Sequence, residues 1–203
     1  MFLPFANDSK AWEPHALALR NMAGVMPGER VDPWKLAPRV GLTVADRDLV
    51  LQILNDDDHN QLLGKDKFVW SGGSVPTPLP DGSRLCIVNP THNSRRNKIT
   101  LMEEIAHVYR NHKPSSIALI AGELEVREYH AVQEKEAYGI GAATLIPWSN
   151  LFQLLNSGRN VLELAEHFDV TSALIEYRIK ITGGYKIYRA RQRSFSAAPR
   201  LSR

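Results

Sequence analysis

The segment Thr100-Leu-Met-Glu-Glu-Ile-Ala-His107 constrains this chain more than any other. Positions four apart on a helix share a face. Glu103 and His107 therefore project together, and Glu104 sits beside Glu103, offset around the axis. Two such groups one turn apart can grip a single ion. A neighbouring carboxylate that is not itself a ligand stands where a general base must stand to deprotonate a water activated by that ion.

A catalytic zinc site takes three protein ligands and leaves one position open for water. The third ligand should come from another helix, and Glu136 is the best candidate. A helix read over 122–145 puts Tyr129, Val132, Gln133, Glu136, Ile140 and Ala143 on one stripe, and Glu136 interrupts an otherwise largely apolar face. A carboxylate aimed at a core needs a partner, and a cation is a natural one. Glu-Glu-x-x-His differs from the His-Glu-x-x-His of zinc peptidases by Glu103, which replaces the first histidine.

Each residue also has a plainer reading. Thr100-x-x-Glu103 has the form of a capping box, with Glu103 closing the N-terminus of its own helix. Glu104 would then be a first-turn acid favoured by the helix dipole. His107 would be a core or surface histidine, and Glu136 would pair with a basic side chain. His112 follows His107 by five residues and is turned off the ligand face; His92 lies in a polar loop.

With 203 residues, 43% of them hydrophobic, the chain can build one domain with an ordinary core. Met1-Phe-Leu-Pro-Phe-Ala-Asn-Asp-Ser-Lys10 lacks the basic and apolar regions of a signal peptide. No segment approaches the roughly 18 apolar residues of a membrane span. Cys86 is the only cysteine, so an intrachain disulfide is excluded. These features point to the cytoplasm and to no membrane partner.

Spacing and punctuation predict helices over 12–26, 33–40, 46–54, 100–112, 122–145, 148–155, 161–168 and 172–181. Strands are expected at 42–44, 67–71 and 84–89. The last two would form a hairpin across Gly72-Gly73 and Pro76-Thr-Pro-Leu-Pro-Asp-Gly82. The run 55–58 reads as a loop, and Gly183-Gly184 as the end of packed structure. The fold class is α+β, mainly helical, with one small sheet and a helical C-terminal part. The organisation is one domain over 1–182, its metal-site core at about 84–147, followed by a flexible basic tail over 183–203.

These pieces together resemble the ImmA/IrrE family of metallopeptidases over about 84–182. The strand into Val88-Asn89-Pro90 and the basic Arg95-Arg96 precede Ile99-Thr-Leu-Met-Glu-Glu-Ile-Ala-His107, with His112 beyond it. Glu136-Ala-x-x-x-Gly-Ala-Ala-x-Leu-Ile-Pro147 is similar to the helix that supplies the family's third ligand, and Leu164-Ala-Glu-His-Phe-Asp-Val-Thr171 to its Ala-x-x-Phe-x-Val-Ser segment. The resemblance implies a zincin-like fold, His107 and Glu136 as ligands and Glu104 as general base, with Glu103 where the family often has a histidine. It implies Zn2+; two carboxylates with one imidazole would also suit a harder ion such as Mn2+. The implied activity is cleavage of a helix-turn-helix transcriptional repressor, which would induce stress-response, mobile-element or defence genes. A regulator of the same fold that binds a repressor or nucleic acid without catalysis is the reading from a different class. Cys86, in the strand before the motif, is either a small buried hydrophobe or a thiolate filling the open metal position as an inhibitory fourth ligand.

The net charge of +3 is unevenly spread. Residues 183–203 hold Lys186, Arg189, Arg191, Arg193, Arg200 and Arg203 and no acid, so the rest of the chain carries 19 Lys and Arg against 22 Asp and Glu. Tyr185 and Tyr188 interleave with Lys186, Arg189, Arg191 and Arg193. Single-stranded nucleic acid is bound by such mixtures, in which charges track phosphates and rings stack on bases. That makes single-stranded DNA a candidate activating partner, against the plainer reading of a solvated terminus.

Overall fold

Helix α1 (Asn7–Ala23) groups with the C-terminal helices rather than with the segment that follows it. In the computed structural model, which describes residues 7–53, 55–112, 117–120, 123–126 and 131–196, the chain builds two units. One comprises residues 32–141; the other joins 1–31 to 142–203. The architecture is α+β and mainly helical.

The 32–141 unit starts as its residue chemistry predicts. Asp32 accepts from the Trp34 amide at 3.0 Å and caps α2 (Pro33–Leu36), with proline at the first helical position. A 3₁₀ turn, Ala37–Val40, then ends at Gly41 in the left-handed region (φ 81°). Strand β1 (Leu42–Val44) is followed by α3 (Arg47–Ile53), α4 (Asp56–Asp58) and a π-helical stretch, His59–Lys65, where a loop is expected at 55–58.

The hairpin forms, but its first strand is β2 (Gly72–Pro78), not 67–71. Gly72 is a strand residue because only glycine fits there: a Cβ would stand 2.7 Å from Thr100 Cγ2 and 2.8 Å from the Ile87 carbonyl oxygen. Strand β3 (Arg84–Val88) lies between β2, antiparallel, and β1, parallel. Cys86 sits opposite Val44 on one side and Ser74 on the other.

Helix α5 (Ser94–Tyr109) begins six residues before the predicted start. Its cap is Asn93, whose side chain accepts from the Arg96 amide at 2.9 Å. Thr100 lies well inside the helix, its hydroxyl donating to the Arg96 carbonyl at 3.3 Å. That removes the capping-box reading of Glu103. Leu101, Met102, Ile105 and Ala106 are fully buried where α5 packs against α2, β2 and β3.

Strands β4 (Ile117–Ile120) and β5 (Glu123–Val126) form a second, two-stranded antiparallel sheet. Alternation in Glu123-Leu-Glu-Val126 suits a strand, so the helix expected from 122 starts only as α6 (Ala131–Leu145). Tyr129 lies outside the described residues.

In the other unit, α7 (Trp148–Asn156), α8 (Val161–Phe168) and α9 (Ser172–Ile181) match the predicted spans within a residue. Asn160 and Glu163 form a capping box on α8, and Thr171 caps α9. Arg178, fully buried, donates to Glu13 of α1 and to the Ile146 carbonyl. The chain does not end its packed structure at Gly183-Gly184. Those glycines form a corner, with Gly183 at φ 71° and the Gly184 amide bonded to the Ile179 carbonyl. Helix α10 (Tyr185–Ser196) follows and packs on α7. Arg200 and Arg203 lie outside the described residues.

Candidate metal centre

Two helices of the 32–141 unit meet at a glycine. At Gly141 of α6 a Cβ would stand 3.1 Å from the Met102 carbonyl carbon and 3.2 Å from the Glu103 amide nitrogen. A side chain there would press on the α5 backbone at the turn bearing Glu103. Seven residues before Gly141 on the same helical face stands Glu134.

Glu103, His107 and Glu134 each offer a ligand atom within 4.8 Å of the other two, and they are the metal-capable cluster among the described residues. His107 Nε2 lies 3.4 Å from Glu134 Oε2. Two donors on a tetrahedral zinc at about 2.0–2.2 Å are separated by about 3.4 Å, so this pair already has the spacing of two ligands. The electrostatics agree. Burial, and then the nearby Glu104 and Glu134, push the Glu103 carboxyl up to about 8. A divalent cation would relieve that crowding of negative charge. Two carboxylates and an imidazole therefore fit a metal ion. Burial, and then the Glu103 charge, raises the Tyr138 hydroxyl above its ordinary value.

The third member is Glu134, not Glu136. The expected stripe does not keep one environment: Val132 at its start is 80% exposed, whereas Ile140 and Ala143 further along are fully buried. Glu136, two residues or about 200° from Glu134 around the helix, binds Arg110 Nε through Oε1 at 3.1 Å and His112 Nε2 through Oε2 at 2.9 Å. Its plainer reading, a carboxylate paired with a base, is the one the geometry supports.

His112 is also placed differently from expectation. Helix α5 ends at Tyr109, and Asn111 takes the left-handed conformation (φ 53°). The Asn111 amide bonds to the Val108 carbonyl and the His112 amide to the His107 carbonyl, a Schellman turn. The turn folds His112 back until its Nδ1 lies 3.1 Å from His107 Nδ1. Counting helical positions put it off the ligand face; the helix end brings it to the ligand's other nitrogen.

Glu104 stays outside the cluster and accepts from Ser74 Oγ at 2.6 Å. Ser74, on the edge strand β2, went unnoticed in the sequence because the bond joins residues thirty apart in different elements. Cys86 is fully buried and not part of the cluster, its thiol pushed up to about 12 by burial and then by Glu104. His92 Nε2 donates to the Lys67 carbonyl at 3.0 Å and serves the loop before α5.

On α10, Tyr185, Lys186, Arg189, Arg191 and Arg193 are exposed and Tyr188 half-buried. The Arg189 guanidinium lies 5.6 Å from the centre of the Tyr185 ring. The basic aromatic segment is thus a helical surface in this unit.

Glu103, His107 and Glu134 form a helix-borne carboxylate–imidazole cluster that could hold a metal ion, with Glu104 beside it. The family model of the IrrE N-terminal-like domain, a peptidase family, matches residues 69–180, and the chain belongs to that family. No curated protein gives a match. Among the described residues, no helix is long and apolar enough to cross a membrane.

Proposed function

We propose that the chain is a metal-dependent endopeptidase. The observation that carries this reading is the convergence of Glu103, His107 and Glu134 from two helices beside a glutamate that is not in the cluster. Zinc is the favoured ion, with manganese the alternative for so oxygen-rich a donor set. The bound ion would supply Lewis-acid polarisation of water and of the scissile carbonyl. Glu104 accepts the proton of the attacking water and returns it to the leaving nitrogen. Ser74 holds one oxygen of Glu104 and leaves the other for that proton.

The edge strand β2 suits an extended peptide, which can add to its open side by main-chain hydrogen bonds. Pro76 and Pro78 have no amide proton to offer. Pairing is therefore restricted to the part of the strand around Ser74, next to Glu104. The substrate class, by family resemblance, is a helix-turn-helix repressor. The exposed basic face of α10 is the surface by which single-stranded DNA would activate the protein.

A non-catalytic regulator of the same fold is the second reading, favoured by the carboxylate of Glu103 where a neutral imidazole would leave the ion more electrophilic. The metal-loaded protein and its Glu104→Gln variant, incubated with helix-turn-helix repressors of the same genome, separate the two. The enzyme yields discrete fragments that disappear in Glu104→Gln while metal content is kept. Fragments unchanged in the variant, or none with any repressor bound, would favour the regulator.

A further inference from the structure

His107 has two ring nitrogens, and only one can hold the ion. Which one carries the proton is fixed by what the other bonds to. On the cluster side, Nε2 faces Glu134 at 3.4 Å. On the far side, Nδ1 faces His112 Nδ1 at 3.1 Å, and His112 continues through Nε2 to Glu136 at 2.9 Å. Arg110 Nε donates to the remaining oxygen of Glu136. These four residues form one chain of contacts leading away from the metal ligand.

The direction of each hydrogen bond follows from the end of the chain. The carboxylate of Glu136, paired with Arg110, has no hydrogen to give and can only accept. His112 Nε2 must therefore donate to it. A neutral imidazole with its proton on Nε2 has a lone pair on Nδ1. With both rings neutral, the state in which His107 can bind an ion, His112 Nδ1 then accepts and His107 Nδ1 donates. That leaves the lone pair of His107 on Nε2, the nitrogen facing Glu103 and Glu134. The opposite tautomer would point an N–H at the metal position. The side chain of His112 is 7% exposed, so water does not compete for this arrangement. The His107 and His112 rings meet edge to face, with centroids 5.0 Å apart.

We propose that His112, anchored by Glu136 and Arg110, is a positioning residue that holds His107 in its Nδ1–H tautomer and so makes Nε2 available to the metal. The inference rests on the metal site proposed above and assigns a task to the residues that the third-ligand reading of Glu136 had left in the wrong place. Glu136 acts on the ion only through two imidazoles.

The variants that test it divide the two bonds of His112. His112→Asn puts an amide oxygen where Nδ1 was, keeping an acceptor for His107 but losing Glu136. His112→Gln reaches Glu136 but leaves His107 without a partner. His112→Leu removes both. Zinc affinity is read by competition with a chromophoric chelator, and the thermal midpoint of each metal-free variant is recorded alongside. Outer-shell partners of metal-binding histidines typically contribute 10–100-fold in affinity. His112→Gln and His112→Leu should lose about that much, and His112→Asn less than about threefold. Long-range 1H–15N spectra of the metal-free wild type should show His107 protonated at Nδ1.

Equal losses in His112→Asn and His112→Gln would mean that the contact to His107 does not matter, and would overturn the proposal. So would a His107 proton on Nε2, or affinity losses that simply follow the thermal midpoints. Wild-type protein that binds no zinc or manganese would overturn the metal site itself, a result distinct from wild type that binds metal and variants that bind it equally well.

Discussion

Replacing Glu103 by glutamine should stabilise the metal-free protein at neutral pH while abolishing its metal site. The Glu103 carboxyl has an ordinary value of 4.5 and is raised to about 8 by burial and by the charges of Glu104 on α5 and Glu134 on α6. Tyr138 of α6 and His107 of α5 are further titratable groups beside it. The folded value lies above the unfolded one. The metal-free fold therefore keeps its full stability below about 4.5 and loses it as pH rises towards 8. From 4.5 to about pH 7.5 is three units at about 1.4 kcal/mol each, an upper bound of about 4 kcal/mol. Partial solvent access around Glu103 reduces this to about 2 kcal/mol. Glutamine is nearly isosteric and carries no charge, so Glu103→Gln removes that loss. Urea unfolding of metal-stripped wild type and variant, at about pH 5 and about pH 7.5, measures it. Wild type should weaken between the two values, and the variant should weaken less and be the more stable at the higher pH. Free zinc at one hundred times the dissociation constant should then add about 2.7 kcal/mol to wild type and little to Glu103→Gln, inverting their order. A metal-free wild type whose stability is flat over this range, or a variant no more stable than wild type, would refute the electrostatic argument for a cation site.

Elemental mass spectrometry of proteins purified without added metal should find near-stoichiometric metal in wild type, essentially none in Glu134→Ala, and a reduced but measurable content in Glu136→Ala; equal loss in both variants would return Glu136 to the ligands. Gly141→Ala forces a Cβ against the backbone of Met102 and Glu103, so it should destabilise by about 1–3 kcal/mol and weaken metal binding by moving Glu134; unchanged chelator competition would show that the helix approach does not set the site. Cys86→Ser buries a hydroxyl in place of a fully buried thiol and should lower stability by about 1–3 kcal/mol with no rise in peptidase activity; a rise would reinstate Cys86 as an inhibitory ligand.

Local sequence determined the parts of this protein that depend on neighbours along the chain. Asp32-Pro33, Asn160-x-x-Glu163 and Thr171 fix helix starts through hydrogen bonds that span three residues. The pairing of Glu103 with His107 on one face needs only the helical repeat. Periodicity was misleading where glycine serves packing rather than turning. Gly72 is in a strand because Thr100 leaves it no room, and Gly183-Gly184 is a corner between helices. A tertiary contact decides each of these, and no window of local sequence contains it. The third member of the cluster has the same cause. Glu134 and Glu136 stand on one helix and are chemically identical, so sequence can rank them only by guessing which face is inward. The close approach at Gly141 makes that choice, turning Glu134 towards Glu103 and His107 and leaving Glu136 to Arg110 and His112. His112 reaches His107 only because α5 stops at Tyr109 and Asn111 turns left-handed. The sequence by itself determined which chemical groups are present and which of them share a helix face; the packing of α6 on α5 and the turn that ends α5 decided which of them converge, because convergence is a matter of distance between elements and not of spacing within one.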